Sequence, residues 1–158
     1  MKEANFFCLV SPQLSHFNSW NFENEPVSFA ALDTLCKTSR LLTALDLACI
    51  ITQETFIELC EIPNLQYFLL KNDNSENPQP LIIRNNFFHS LAASSETLYH
   101  LALRGSLVFL LEDSLPPLEQ LTFPILKKFE ISVATDVVSH IPRLFSTARL
   151  PKLEILDT

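Results

Sequence analysis

Leu98-Tyr99-His100-Leu101-Ala102-Leu103 carries the pattern on which the reading of this chain turns. Apolar residues stand first, fourth and sixth, and the places between take residues of any polarity. The same form, with an apolar or small residue in the sixth place, recurs as Leu14-Ser15-His16-Phe17-Asn18-Ser19, Leu42-Thr43-Ala44-Leu45-Asp46-Leu47 and Leu65-Gln66-Tyr67-Phe68-Leu69-Leu70. It returns twice more, as Leu126-Lys127-Lys128-Phe129-Glu130-Ile131 and Leu153-Glu154-Ile155-Leu156-Asp157-Thr158. The starts are separated by 28, 23, 33, 28 and 27 residues. With 28 leucines in the chain a single match would mean little; a period is stronger evidence than any one match.

Two further features support the period. Four of the six rows have a proline two residues before the first leucine, at Pro12, Pro63, Pro124 and Pro151. Proline there ends a preceding helix and extends the chain into a strand. The intervals also contain helical patterns. Residues 52–62 put Phe56, Leu59 and Cys60 on one face and Glu54, Glu58 and Glu61 on the other, with Thr52 as the N-cap. Comparable patterns cover 28–38 (Phe29, Leu32, Leu35, Cys36), 85–93 (Phe87, Phe88, Leu91) and 136–147 (Val137, Val138, Ile141, Leu144, Phe145), the last shortened or kinked by Pro142.

Each strand–helix unit is too small to bury its own apolar face, so successive units must stack. The expected fold is an α/β solenoid of irregular leucine-rich repeats, with about six repeats in one domain over residues 1–158. Parallel strands would line a concave face and helices a convex one. An ordinary open α/β sandwich is the alternative. The position where regular repeats carry Asn or Cys holds Ile50, Asp73, Ser106 and Ala134, so the convex turns must be satisfied by other groups. Residues 116–123 also match the motif, only eight residues before Leu126. Leu126 keeps the spacing on both sides, which makes 106–123 an irregular convex segment. Residues 72–80 form a polar loop that lengthens the 33-residue unit.

The form P-x-L-x-x-[LF]-x-[LI] with irregular unit length resembles the divergent leucine-rich repeats of F-box proteins. Pro63-Asn64-Leu65-Gln66-Tyr67-Phe68 and Pro151-Lys152-Leu153-Glu154-Ile155-Leu156-Asp157 look most like them, and the resemblance covers residues 12–158. It implies a substrate-holding module of a ubiquitin ligase receptor, with a cullin-ligase adaptor as a further partner if an F-box is present elsewhere. No segment near the start resembles the L-P-x-E-[LI]-x-x-x-[IVL] core of an F-box. The last row ends at Thr158 without a capping segment, which suggests a fragment or a partner at that end.

Composition narrows the function classes. The 158 residues are 47% hydrophobic and 18% charged, enough to bury a core. The single glycine, Gly105, rules out Gly-rich phosphate loops. A net charge of −7 disfavours nucleic acid and anionic membranes as partners. No apolar run approaches the roughly 20 residues of a membrane helix. Cys8, Cys36, Cys49 and Cys60 lack CxxC spacing and read as reduced, buried thiols of an intracellular protein, cytoplasmic or nuclear.

Catalysis is not expected, and neither a metal nor a cofactor. No GxSxG or Cys–His signature occurs. His16 and His100 share the third motif place but stand three strands apart, roughly 14 Å at the usual strand spacing. His89 and His140 fall on expected helices, and the Glu54, Glu58, Glu61 stripe reads as a solvated helix face. The sharper expectation concerns the columns of the sheet. The third places align as His16, Ala44, Tyr67, His100, Lys128 and Ile155, and the fifth as Asn18, Asp46, Leu69, Ala102, Glu130 and Asp157. Tyr67, Leu69 and His100 would form an aromatic and apolar centre, with Asp46, Lys128 and Glu130 as a charged rim. That composition suits a protein-binding patch. A small α/β enzyme or ligand-binding domain is the competing reading.

Overall fold

The computed structural model describes residues 15–18, 34, 35, 37, 38, 41–48, 51–72, 80–84, 87–110, 121–132, 148–152 and 154–157. The fold is mixed α/β. Its main sheet has six strands: β1 (His16–Asn18), β2 (Ala44–Ala48), β3 (Tyr67–Asn72), β5 (His100–Gly105), β8 (Lys128–Ile131) and β10 (Ile155–Asp157). Each comes from one motif row, neighbours in the sheet are successive rows, and every pair is parallel.

The register is the one the motif alignment gives. His16 pairs with Ala44, Ala44 with Tyr67, Tyr67 with His100, His100 with Lys128, and Lys128 with Ile155. A bifurcated backbone bond repeats ahead of the strands. The amides of Thr43 and Ala44 donate to Ser15 O, those of Gln66 and Tyr67 to Thr43 O, and those of Tyr99 and His100 to Gln66 O. Lys127 and Lys128 donate to Tyr99 O in the same way. Turns at 63–64, 124–125 and 151–152 lead into β3, β8 and β10, each opened by the proline of the row. Asn64 completes one of them at φ 64°, a left-handed conformation that Asn tolerates better than most residues.

The period-two alternation explains why these rows pair and stay in register. First-place Leu42, Leu65, Leu98 and Leu126 are buried, as are fourth-place Phe17, Leu45, Phe68, Leu101 and Phe129. Sixth-place Leu47, Leu70, Leu103 and Ile131 complete the core side. Each such side chain contributes about 1.5–3 kcal/mol on burial. A slip of one residue would turn a whole strand's apolar set outward.

The covering layer is more varied than helices alone. α1 (Gln53–Cys60) starts at Thr52, whose hydroxyl accepts from the Thr55 amide at 3.2 Å, and it buries Phe56, Leu59 and Cys60. Glu54 and Glu61 are exposed and Glu58 is half-buried. α2 (Phe87–Ser90) is a single turn, followed by a 3-10 turn at Ala92–Ser94. The Phe56 and Phe87 rings stack at 6.0 Å, and Phe88 meets Phe87, Phe123 and Phe129 at 5.3, 5.6 and 6.1 Å. Aromatic contacts thus join successive rows through the core.

Two short parallel pairs also lie outside the main sheet: β4 (Leu81–Arg84) with β6 (Leu107–Leu110), and β7 (Leu121–Thr122) with β9 (Ala148–Arg149). This corrects the expectation that 106–123 is irregular throughout, because residues 107–110 find a partner strand in β4. β4 begins 14 residues after β3, whereas β6 begins seven after β5. The seven extra residues fall within the polar stretch 72–80 of the sequence. Gln53 of α1 closes the other edge of β4: its Nε2 donates to Ile82 O at 3.1 Å and its Oε1 accepts from the Ile82 amide at 2.7 Å. The expected helices over 28–38 and 136–147 fall mostly or wholly outside the described residues.

Polar bonds also join successive rows outside the strands. Asn72 is buried, and its Oδ1 accepts from the Ile51 amide at 3.3 Å while its carbonyl accepts from the Ser106 amide at 3.1 Å. Ser94 donates to Ile62 O at 2.7 Å and accepts from the Leu65 amide at 2.9 Å. Gly105 adopts φ 104° against this turn, and a Cβ there would stand 2.0 Å from Asn72 O. The only glycine in the chain therefore occupies a place that no other residue fits.

Candidate protein-binding face

The third and fifth motif places point away from the core, and together they build one open sheet face. On β2, Asp46 is half-buried and accepts from Asn18 Nδ2 at 3.2 Å. On β3, Tyr67 is 39% exposed and Leu69 is half-buried. His100 on β5 and Lys128 on β8 are half-buried. The face therefore brings Tyr67, Leu69, His100, Lys128 and Glu130 onto three adjacent strands, with Asp46 one strand further out. Side chains of Ile155 and Asp157 lie outside the described residues.

Glu130 is not the exposed rim group that its charge suggests. It is 3% exposed and sits at the centre of a charge cluster. Its Oε2 accepts from Arg104 Nη2, and its Oε1 accepts from Lys128 Nζ and lies 3.1 Å from His100 Nε2. Ala102, its register neighbour on β5, is too small to fill the space, so His100, Arg104 and Lys128 close over the carboxylate. Burial alone would raise the Glu130 pKa. Hydrogen bonds from Lys128 and Arg104, with their charges, outweigh that and bring it down to about 2. The His100 pKa lies below its ordinary value: desolvation and the two nearby cations outweigh the help of the Glu130 carboxylate. The Glu130 carboxylate can only accept, so the proton of this contact sits on His100 Nε2.

Beside this cluster is an aromatic and ionic row that the motif columns did not include. Tyr99, 38% exposed, meets the Tyr67 ring at 5.7 Å and a 49° tilt. Lys127 Nζ stands 5.7 Å over the Tyr99 ring and 3.1 Å from Glu154 Oε1. Glu154, by hydrogen bond and charge, holds the Lys127 pKa above its ordinary value. Tyr99, Lys127 and Glu154 all occupy the second motif place, and Arg104 the seventh. Extending the columns to one place before the third and two places beyond the fifth would have found them.

His16 stands on β1 with its Nδ1 2.8 Å from Ser15 Oγ, three strands from His100. Among the described residues, no three His, Cys, Asp or Glu side chains gather as a metal site requires. Cys60 is buried and free, and burial pushes its thiol pKa far up; Cys8, Cys36 and Cys49 lie outside the described residues. No helix among the described residues is long and apolar enough to cross a membrane. No protein-family model, curated protein or solved structure matches the chain.

Proposed function

We propose that the chain is a leucine-rich repeat solenoid whose open sheet face binds another protein without catalysis. The observation that carries this reading is the exposed Tyr67–Tyr99 pair on a parallel sheet built from consecutive motif rows. An aromatic pair held on rigid strands, next to charged groups fixed by one another, has the makeup of an interface centre with a polar rim. The matched register and the repeated bifurcated bonds ahead of the strands support the repeat architecture. The similarity of the Pro-x-Leu rows to F-box protein repeats favours a ubiquitin ligase receptor as the context, with the face holding the substrate.

Capture from the native cell with the parent chain and with the Tyr67→Ala, Tyr99→Ala double variant tests both levels. Loss of one specific protein from the variant capture, at unchanged thermal stability, supports the binding face. Cullin-ligase components among the proteins captured by both chains support the ligase context. Capture that is identical for the two chains contradicts the assignment of the face.

A further inference from the structure

The charge cluster on the open face is unbalanced, and its sign is opposite to that of the protein. The chain has 18 acidic and 11 basic residues, for a net charge of −7. On β5 and β8 and the residues leading into them, the described cations of the open face are Arg104, Lys127 and Lys128. Among the described residues, Glu130 is the one carboxylate that meets Arg104 and Lys128, and Glu154 lies beside Lys127 at the edge. Glu130 thus faces two permanent cations at once.

Donor capacity is also left over. A guanidinium has five N–H donors and an ammonium three. Among the described residues, only Nη2 of Arg104 is engaged, and Lys128 Nζ meets the single oxygen Oε1. The Arg104 side chain is 51% exposed and that of Lys128 36%, so both cations reach solvent while anchored from below by Glu130. A guanidinium and an ammonium held side by side by a buried carboxylate form a preorganised seat for a second carboxylate. The exposed Tyr67–Tyr99 pair lies on the same face, with Tyr67 in one column with His100 and Lys128, and offers apolar surface to another residue of the same ligand.

We propose that the face between β3 and β8 binds an extended acidic peptide segment of a protein partner, seating one of its carboxylates on Arg104 and Lys128. This rests on the protein-binding reading of the face and supplies the chemistry of the partner. A short acidic segment responds to the local cluster, because exposed charges are screened beyond about 8–10 Å at physiological salt. A long polyanion such as nucleic acid would also meet the surrounding acidic surface of a chain at −7, which repels it. The peptide is therefore the favoured occupant.

The test pans the full chain against displayed random linear peptides, then measures the best synthetic peptide by fluorescence anisotropy. The expected selection is rich in Asp and Glu beside an apolar residue. Replacing the acids of the peptide by Gln, or Arg104 by Gln in the protein, weakens binding about tenfold or more. Arg104→Lys keeps the charge and retains part of the affinity, and a cooperative unfolding transition well above the assay temperature for both variants excludes misfolding, even where the lost bond to Glu130 lowers the midpoint. Selection of neutral or basic peptides that compete at Tyr67 overturns the acidic ligand and leaves the binding face intact. No enrichment at all overturns both. Binding of single-stranded oligothymidylate more tightly than the acidic peptide also overturns the proposal.

Discussion

Replacing Glu130 by glutamine keeps the shape of the side chain and removes its charge, leaving Arg104 and Lys128 side by side over a neutral amide. The folded carboxylate titrates at about 2, against an ordinary value of 4.5. At about 1.4 kcal/mol per pKa unit, that difference corresponds to about 3–4 kcal/mol of stabilisation of the charged form on folding. Both cations reach solvent, so screening reduces the net effect of the substitution to about 2 kcal/mol. For a chain of this length the melting temperature should fall by roughly 4–8 °C at neutral pH. A group whose folded pKa is depressed stabilises the fold above its unfolded pKa and loses that contribution as pH falls toward the folded value. The gap between parent and Glu130→Gln should therefore be full above about pH 5, shrink between 4.5 and 2, and vanish near 2. Urea unfolding at a series of pH values measures it. A variant within about 0.5 kcal/mol of the parent at pH 7, the scale of an ordinary surface change, would refute the central buried carboxylate.

Other substitutions separate the parts of the fold. Gly105→Ala meets Asn72 O at 2.0 Å with φ at 104° and should cost about 2 kcal/mol or more, read by chemical denaturation; a neutral result would contradict the turn geometry. Phe68→Ala opens the core and should cost about 3–5 kcal/mol, whereas Tyr67→Ala, one residue earlier, should leave the melting temperature nearly unchanged. Similar losses from both would mean that Tyr67 is core. Gln53→Ala removes both side-chain bonds to Ile82 and should speed hydrogen exchange at the Ile82 amide; unaltered protection there would show that β4 does not depend on them.

The main sheet was legible in the sequence because its information is local. Leucine or an equivalent at the first, fourth and sixth places specifies which face of each strand is buried, and the repeat period specifies which strand comes next. Thr52 and the apolar stripe of α1 were readable for the same reason. The covering layer was not. Leu107–Leu110 is a strand only because Leu81–Arg84 lies alongside it, and no property of either segment alone specifies that pairing. The seven residues added after β3 also conceal the alignment of the two.

The face was partly legible. Column alignment placed Tyr67, Leu69, His100, Lys128 and Glu130 together, but it treated charge as a sign of exposure. Whether a carboxylate is a rim group or a buried anchor depends on its neighbours. Here Ala102 leaves room, and Arg104, Lys128 and His100 close over it. Tyr99 was passed over because the second motif place precedes the strand, where the backbone still turns and alternation gives no direction.

The most direct test of the central claim is a photo-crosslinking amino acid placed at two exposed positions, Tyr67 on the open face and Ile57 on α1. Irradiation of the chain in its native cell, followed by mass spectrometry, should give one dominant protein adduct from position 67 and none of that protein from position 57. Equal crosslinking from both positions, or an adduct from position 57 alone, would contradict the assignment of the sheet face as the binding surface.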